Sequence, residues 1–218
     1  MTAADPRTIL VAPDSFKGSL TSVQVARALA DGWLRGRPGD AIRLVPLADG
    51  GDGTLDAVAA GGGWQTLRAS TRDPLMRPLE ARFLRDGERG IVELADASGL
   101  SRLAPGERDA RAASTFGTGL VLATAVGLGV RRVVLGVGGS ATTDGGSGLL
   151  RALGARFLDG SGTELAPGGA ALAGLVRVDL DRLAPVLAEV KLTVASDVTN
   201  PLLGEFGAAA TYGPQKGA

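Results

Sequence analysis

The sequence predicts an α/β fold built from short units of strand, glycine loop and helix, on three observations. Apolar runs of strand length at residues 9–12, 42–47, 133–137 and 192–195 each open into a polar, glycine-bearing loop, as buried strands of α/β sheets do. After the first three of these loops, apolar residues return at helical spacing. The chain holds 34 glycines and only 4% aromatic residues, a balance suited to many tight turns between short elements.

Taken in order, the strand at 9–12 runs into PDSFKGSL, and Thr21 or Ser22 can cap a helix whose inner face is Val25, Ala26, Leu29 and Trp33. The strand at 42–47 ends in ADGGDGT, and a helix at 55–60 is stopped by the glycines at 61–63. From residue 66 the texture changes. Runs at 66–69, 79–84 and 91–94, separated by DP and DG turns, predict β-strands in antiparallel pairing and a boundary between structural units near residue 70. The segment ELADASGL reads as a solvated turn, although it could carry Glu93, Asp96 and Ser98 toward a cleft. STFGTG reads as the cap of a helix through Val121, Leu122, Ala125 and Leu128, which feeds the strand at 133–137, although its hydroxyls could also ligate a phosphate. Gly136, Gly138 and Gly139 turn the chain there, and Leu149, Leu150, Leu153 and Phe157 resume at helical spacing. Residues 175–187 carry scattered helical spacing, and the last strand opens into a long glycine-rich polar loop.

Composition excludes several functions. The 44% hydrophobic content is ample for a core. Acidic and basic residues number 23 each and are intermixed, which leaves no basic footprint for nucleic acid and none for an anionic membrane. Neither is expected as a partner. Without cysteine, disulfides and thiolate metal sites are ruled out. No charged leader or long apolar span precedes the first strand, so a cytoplasmic location is expected. Without histidine, Ser-His-Asp and Cys-His catalysis, HExxH zinc sites and an imidazole base are excluded. Proton transfer must fall to Asp, Glu or Lys.

The candidate chemistry sits where ligands bind in open parallel sheets, beyond the carboxyl ends of strands. The first strand ends in Asp14, Ser15 and Lys17, and the second in Asp49 and Asp52. Two carboxylates so placed can hold Mg²⁺ through oxygen or accept a hydroxyl proton, while Asp-Gly pairs are also ordinary turn formers. The third loop offers Gly138, Gly139, Ser140, Thr142 and Asp144 just before a helix, an arrangement in which free backbone amides form an anion cradle. It has neither P-loop spacing nor the dinucleotide fingerprint. The fourth loop offers Asp197 and Asn200. Arginine carries nearly all the positive charge, the lysines being Lys17, Lys191 and Lys216. A lysine in a polar glycine loop suggests phosphate binding, which fits Lys17 and Lys216; Lys191, at the head of a strand, reads as surface.

Together, APDSFKGSL (12–20), ADGGDGT (48–54), GVGGSATTDGG (136–146) and SDVTNPLLGEFGAAATYGPQKGA (196–218) resemble the bacterial type I glycerate kinase family, also called the glycerate 2-kinase group, in order and interval across essentially the whole chain. The family usually has Glu where Asp52 stands and Asn where Thr143 stands. The resemblance implies two unlike α/β domains: a flavodoxin-like (Rossmann-like) domain made of both chain ends, and a second α/β domain inserted into it. Residues 1–70 would then open the flavodoxin-like domain, and residues 71–218 would form most of the inserted one. Family members continue beyond PQKGA with a segment that returns to the first domain, so without it strand edges and apolar surface are expected to be exposed there.

The resemblance also implies ATP-dependent phosphorylation of D-glycerate with Mg²⁺, 2-phosphoglycerate being the favoured product. Phosphoryl transfer needs positioning, charge neutralisation and a modest base, all of which lysine, backbone amides, Mg²⁺ and aspartate supply without histidine. The expected catalytic residues are Asp197, Asp49 and Lys17, with Asp197 or Asp49 as base. Asp14, Ser15, Lys17, Gly138, Gly139, Ser140, Thr142, Asn200 and Lys216 are expected around substrate and phosphate, and Asp144, Asp52 or Asp14 beside the metal. D-glycerate and ATP are the expected partners, and a homodimer stays open. The rivals are another small hydroxy-acid or sugar kinase, a nicotinamide dehydrogenase, and a ligand-binding fragment without turnover.

Overall fold

A computed structural model describes residues 5–16, 18–183 and 185–218, the side chain of Val186 lying outside that description. Its first part is β1 (Thr8–Val11), α1 (Ser22–Gly36), β2 (Ala41–Leu44) and α2 (Thr54–Ala60). Then come β3 (Gln65–Arg72), β4 (Pro78–Asp86), β5 (Arg89–Glu93), α3 (Leu94–Ser98), α4 (Phe116–Gly127) and β6 (Arg132–Gly136). The chain continues through α5 (Ser147–Ala152), β7 (Arg156–Leu158), β8 (Arg177–Asp179), β9 (Lys191–Ala195) and α6 (Ala208–Tyr212). The result is a mixed α/β architecture. Among the described residues no helix is long and apolar enough to cross a membrane.

β1 and β2 form a two-stranded parallel sheet joined by the α1 crossover. α1 begins with a capping box: the Gln24 amide donates to Thr21 Oγ1 at 3.2 Å and the Thr21 amide to Gln24 Oε1 at 2.9 Å, so Thr21 is the cap and Ser22 the first helical residue. Val25, Ala26 and Ala30 are buried. Leu29 and Trp33, expected on the same inner face, are 53% and 40% exposed, as are Leu10 (62%) and Leu44 (40%). Two strands are too narrow to cover the whole apolar stripe of a four-turn helix.

The larger sheet runs β3-β4-β5-β6-β9. β3, β4 and β5 pair antiparallel, while β6 is parallel to both β5 and β9. Alternation along the strands divides its side chains between two faces. Phe83 and Val92 meet Val121 and Leu122 of α4 together with Val133 and Leu135. Leu84 and Ile91 point the other way, onto Leu55 of α2 beside Val58 and Trp64. Thus α2, which follows the small sheet in sequence, packs on the large one.

Three expectations are corrected. ELADASGL is no solvated turn: all five residues of α3 are buried, because their polar groups find partners inside the protein. Asp96 binds Arg82 at 3.1 Å and Arg102 at 2.8 Å, and Thr118 Oγ1 donates to Ser98 Oγ at 2.8 Å. Phe157 belongs to a strand and not to the preceding helix, since Gly154 takes φ +107° and ends the helical run. Residues 175–187 begin as β8, paired antiparallel with β7, before a 3-10 turn at Pro185–Glu189.

Candidate active site

The carboxyl ends of β1, β2, β6 and β9 all turn toward one cleft of about 770 Å³, the position that an open parallel sheet offers to ligands. β1 delivers Asp14 and Ser15, β2 delivers Asp49 and the start of loop 48–54, β6 delivers Gly138, Gly139 and Ser140, and β9 delivers Asp197. Tyr212, Gln215 and Lys216 close one side from the last turns of the chain. Lys17 lies outside the described residues.

Backbone contacts knit the loops together. The Gly138 amide donates to the Gly50 carbonyl at 3.1 Å and the Val137 amide to the Ala195 carbonyl at 3.2 Å. A Cβ on Gly138 would stand 2.7 Å from Gly51 Cα, and one on Gly136 would stand 2.5 Å from the Gly50 carbonyl oxygen. The sequence explains these glycines by an anion's approach; the structure adds that they let loop 48–54 lie directly on the end of β6.

The polar groups differ in how far they are committed. Asp14 Oδ1 accepts the Ser15 amide at 2.6 Å and Asp49 Oδ1 the Gly51 amide at 3.0 Å, local turns that leave the second oxygen of each toward solvent. Asp52 accepts Ser101 Oγ at 2.8 Å. Asp197 is exposed on the cleft wall. The Lys216 ammonium donates to Ser140 Oγ at 2.7 Å and to the Thr142 carbonyl at 2.9 Å. Burial holds its pKa below the ordinary lysine value, although the nearby Asp144 charge works in the opposite sense. Asp14, Asp49, Asp52, Asp56 and Asp197 line the cleft, and Lys216 is the one cation among its described lining residues. Such a wall favours an anionic ligand that arrives with its own cations.

Three expected site residues stand apart from the cleft lining. Asp144 is 1% exposed. Its Oδ2 accepts the Thr115 amide (2.8 Å), Thr115 Oγ1 (2.9 Å) and the Gly148 amide (3.1 Å), and its Oδ1 accepts the Gly146 amide (3.2 Å). This carboxylate joins the starts of α4 and α5 and is committed to donors inside the protein. Thr142 is buried, and its carbonyl accepts from Lys216. Asn200 accepts Tyr212 Oη at 2.8 Å and donates to the Phe206 carbonyl at 3.0 Å, so it pins the loop between β9 and α6. Conversely, Tyr212, Gln215 and Asp56 line the cleft without being singled out in the sequence. The first two precede Lys216 in the last motif, and Asp56 lies four residues beyond Asp52.

The glycerate kinase family model matches residues 9–218. Glycerate kinase of Halalkalibacterium halodurans is 44% identical over 213 residues, covering 97% of this chain and 56% of its own length. Glycerate 2-kinase of Escherichia coli is 40% identical over 212 residues, covering 96% and 56%. A crystal structure from Salmonella typhimurium that carries the provisional name glycerate kinase 2 superposes with a TM-score of 0.85 at 38% identity, covering 98% of this chain and 58% of that one. This chain therefore spans a little over half the length of the relatives it matches. With the cleft at the strand ends and the match running through all four loops that build it, the chain belongs to the glycerate kinase family.

Proposed function

We propose that this cleft transfers the γ-phosphoryl group of ATP to a hydroxyl of D-glycerate, giving 2-phosphoglycerate and ADP. The observation that carries the reading is the convergence of loops from four separate parts of the chain on one acidic cleft that also holds a half-buried lysine. The names of the relatives supply the acceptor.

In this reading Lys216, Ser140 and the glycine loop take the phosphates. Lys216 is held by two acceptors from that same loop, so its charge is fixed beside the amides of Gly138 and Gly139 before any ligand arrives. Asp197 accepts the proton of the attacking hydroxyl. Asp49, with one oxygen already bonded to the Gly51 amide, orients that hydroxyl. As the proton passes to Asp197, the glycerate oxygen bonds to phosphorus and the bond to the ADP oxygen breaks.

Mg²⁺ fits the donor set. Asp14, Asp49, Asp52 and Asp197 offer hard carboxylate oxygens to the cleft. No group of three or more acidic or imidazole ligands converges among the described residues, which suits an ion held by one or two carboxylates plus substrate phosphates and water. Asp14 and Asp52 would hold it, and when bound it neutralises charge on the transferring phosphate. Asp144 is left out of this role because it is buried and already accepts four internal hydrogen bonds.

We further propose the domain division that the resemblance implies, a flavodoxin-like unit opening at residues 1–70 and an inserted α/β unit over residues 71–218. Support comes from the separate parallel pair β1-β2 beside the five-stranded mixed sheet; because β3 pairs with β4 along its whole length, the division fits best just before Gln65. The functional reading is tested by glycerate-dependent ADP release with MgATP, followed by phosphorus NMR of the product. A 2-phosphate signal is expected. ADP release that ignores D-glycerate but responds to another hydroxy acid would replace the acceptor.

A further inference from the structure

We propose that Glu93 is a positioning residue for the cleft: reaching from the end of β5, its carboxylate clamps the loop that presents Asp49 and Asp52. The inference rests on the phosphoryl-transfer reading for its kinetic consequence, but its structural part stands without it.

Loop 48–54 runs into α2 through Gly53, which takes φ +92° at the helix N-cap and has no side-chain cap of its own. The first amides of a helix have no partner within the helix. Glu93, far away in sequence, supplies that partner from one carboxylate, accepting the Gly53 amide on Oε1 at 3.1 Å and the Leu55 amide on Oε2 at 2.8 Å. Glu93 is also in register with Gly136 across the parallel β5–β6 pair. The clamp and the glycine loop therefore leave the sheet side by side, and loop 48–54 is caught between them.

The setting is costly for a carboxylate. Glu93 is 4% exposed, and the neighbouring charges of Asp96 and Asp52 are of the same sign. The Arg82 guanidinium is taken up by Asp96 and by Asp56, at 3.1 Å and 2.7 Å. Burial raises the Glu93 pKa, and only its two amide bonds oppose this. A neutral or apolar residue would avoid that cost, so stability alone does not call for an acid here. What the acid provides is two acceptors on one group, and these fix the loop beyond Asp52. Two other contacts hold the loop further back, Ser101 Oγ on Asp52 at 2.8 Å and the Gly138 amide on the Gly50 carbonyl at 3.1 Å.

The test compares the wild-type chain with Glu93→Gln and Glu93→Ala by amide hydrogen exchange and by steady-state kinetics. Glutamine keeps the shape but can accept only one of the two amides through its oxygen, so it remains informative where alanine fails to fold. Exchange at Gly53 and Leu55 is expected to speed up about tenfold or more in Glu93→Gln, with Val92 and Val133 in the sheet unchanged. kcat is expected to fall by about tenfold to a hundredfold, and KM for MgATP to rise by less than that, because the loop presents Asp49 and the metal-holding Asp52 while the direct phosphate contacts come from other loops. Unchanged protection at Gly53 and Leu55 would overturn the clamp. Faster exchange with an unaltered kcat would overturn its part in positioning. If the wild-type chain shows no glycerate-dependent turnover while the exchange difference is present, the clamp stands and the phosphoryl-transfer reading falls.

Discussion

Gly138 and Gly51 lie backbone against backbone, so close that a Cβ on Gly138 would stand 2.7 Å from Gly51 Cα and 2.9 Å from its nitrogen. Neither neighbour is a flexible side chain that could swing away, so a methyl group must push two loops apart. Gly138→Ala is expected to cost about 1–3 kcal/mol of stability and to lower kcat/KM by about tenfold or more through misplacement of Asp49. Thermal melts and steady-state kinetics on one preparation check both. Full activity with an unchanged melt would mean that the loops tolerate separation.

Lys216 gives a pH dependence of opposite sign for activity and stability. Its pKa is held down by burial, so the folded chain releases this proton at a lower pH than the unfolded chain does. As pH rises through the lowered value the phosphate-binding charge is lost, and kcat/KM falls. Between the lowered and the ordinary lysine values the unfolded chain binds more protons than the folded one, so stability contributed by this group rises with pH. Lys216→Arg is expected to move the alkaline limb of activity upward, because arginine stays charged. A limb that does not move would assign the titration to another group.

Asp144 and Asp197 look alike in the sequence, and their substitution should separate them. Asp144→Ala strands four donors, three of them in buried hydrogen bonds, and is expected to destabilise the chain by about 3 kcal/mol. Asp197→Asn, at an exposed residue of the cleft, is expected to leave the melting temperature unchanged and to lower kcat by about a hundredfold or more. Calorimetric or optical melts beside turnover assays decide it. The reverse pattern would exchange their roles.

Asp40 ties the first strand to the end of α1. Its carboxylate accepts the Arg7 amide at 3.0 Å, Trp33 Nε1 at 2.9 Å and Arg37 Nε at 2.7 Å. The hydrogen bond from Arg37, with that from Trp33, holds its pKa far below the usual carboxylate range. The stabilisation is therefore present above the ordinary aspartate value and is lost as pH falls toward the depressed one. Asp40→Asn should lower the melting temperature at neutral pH, and the gap to wild type should close in acid. A gap independent of pH would contradict this.

The loops were legible in the sequence because each is a local event. A short apolar run, a change of period and a cluster of glycine and aspartate lie within about a dozen residues of each other, and the strand-end rule then places them together. What was hidden depends on distant partners. Nothing in TTDGG reveals that Asp144 will be consumed by Thr115 on another helix. α3 has five residues, too few to show a helical period, and its burial is settled by Arg82, Arg102 and Thr118. Phe157 kept the helical spacing of Leu149, Leu150 and Leu153, and only the backbone of Gly154 moved it into a strand. The glycines of the third loop were conspicuous, but sequence could not say that their empty space is filled partly by Gly50 and Gly51.

Titration calorimetry of MgADP and of D-glycerate, each into the wild-type chain and into the Lys216→Ala and Asp197→Asn variants, addresses most directly whether these loops make one site. One molecule of each ligand is expected to bind the wild type, with MgADP weakened by about tenfold or more in Lys216→Ala and D-glycerate weakened in Asp197→Asn. Wild-type affinities in both variants, or no binding of either ligand to the unaltered chain, would contradict a shared cleft.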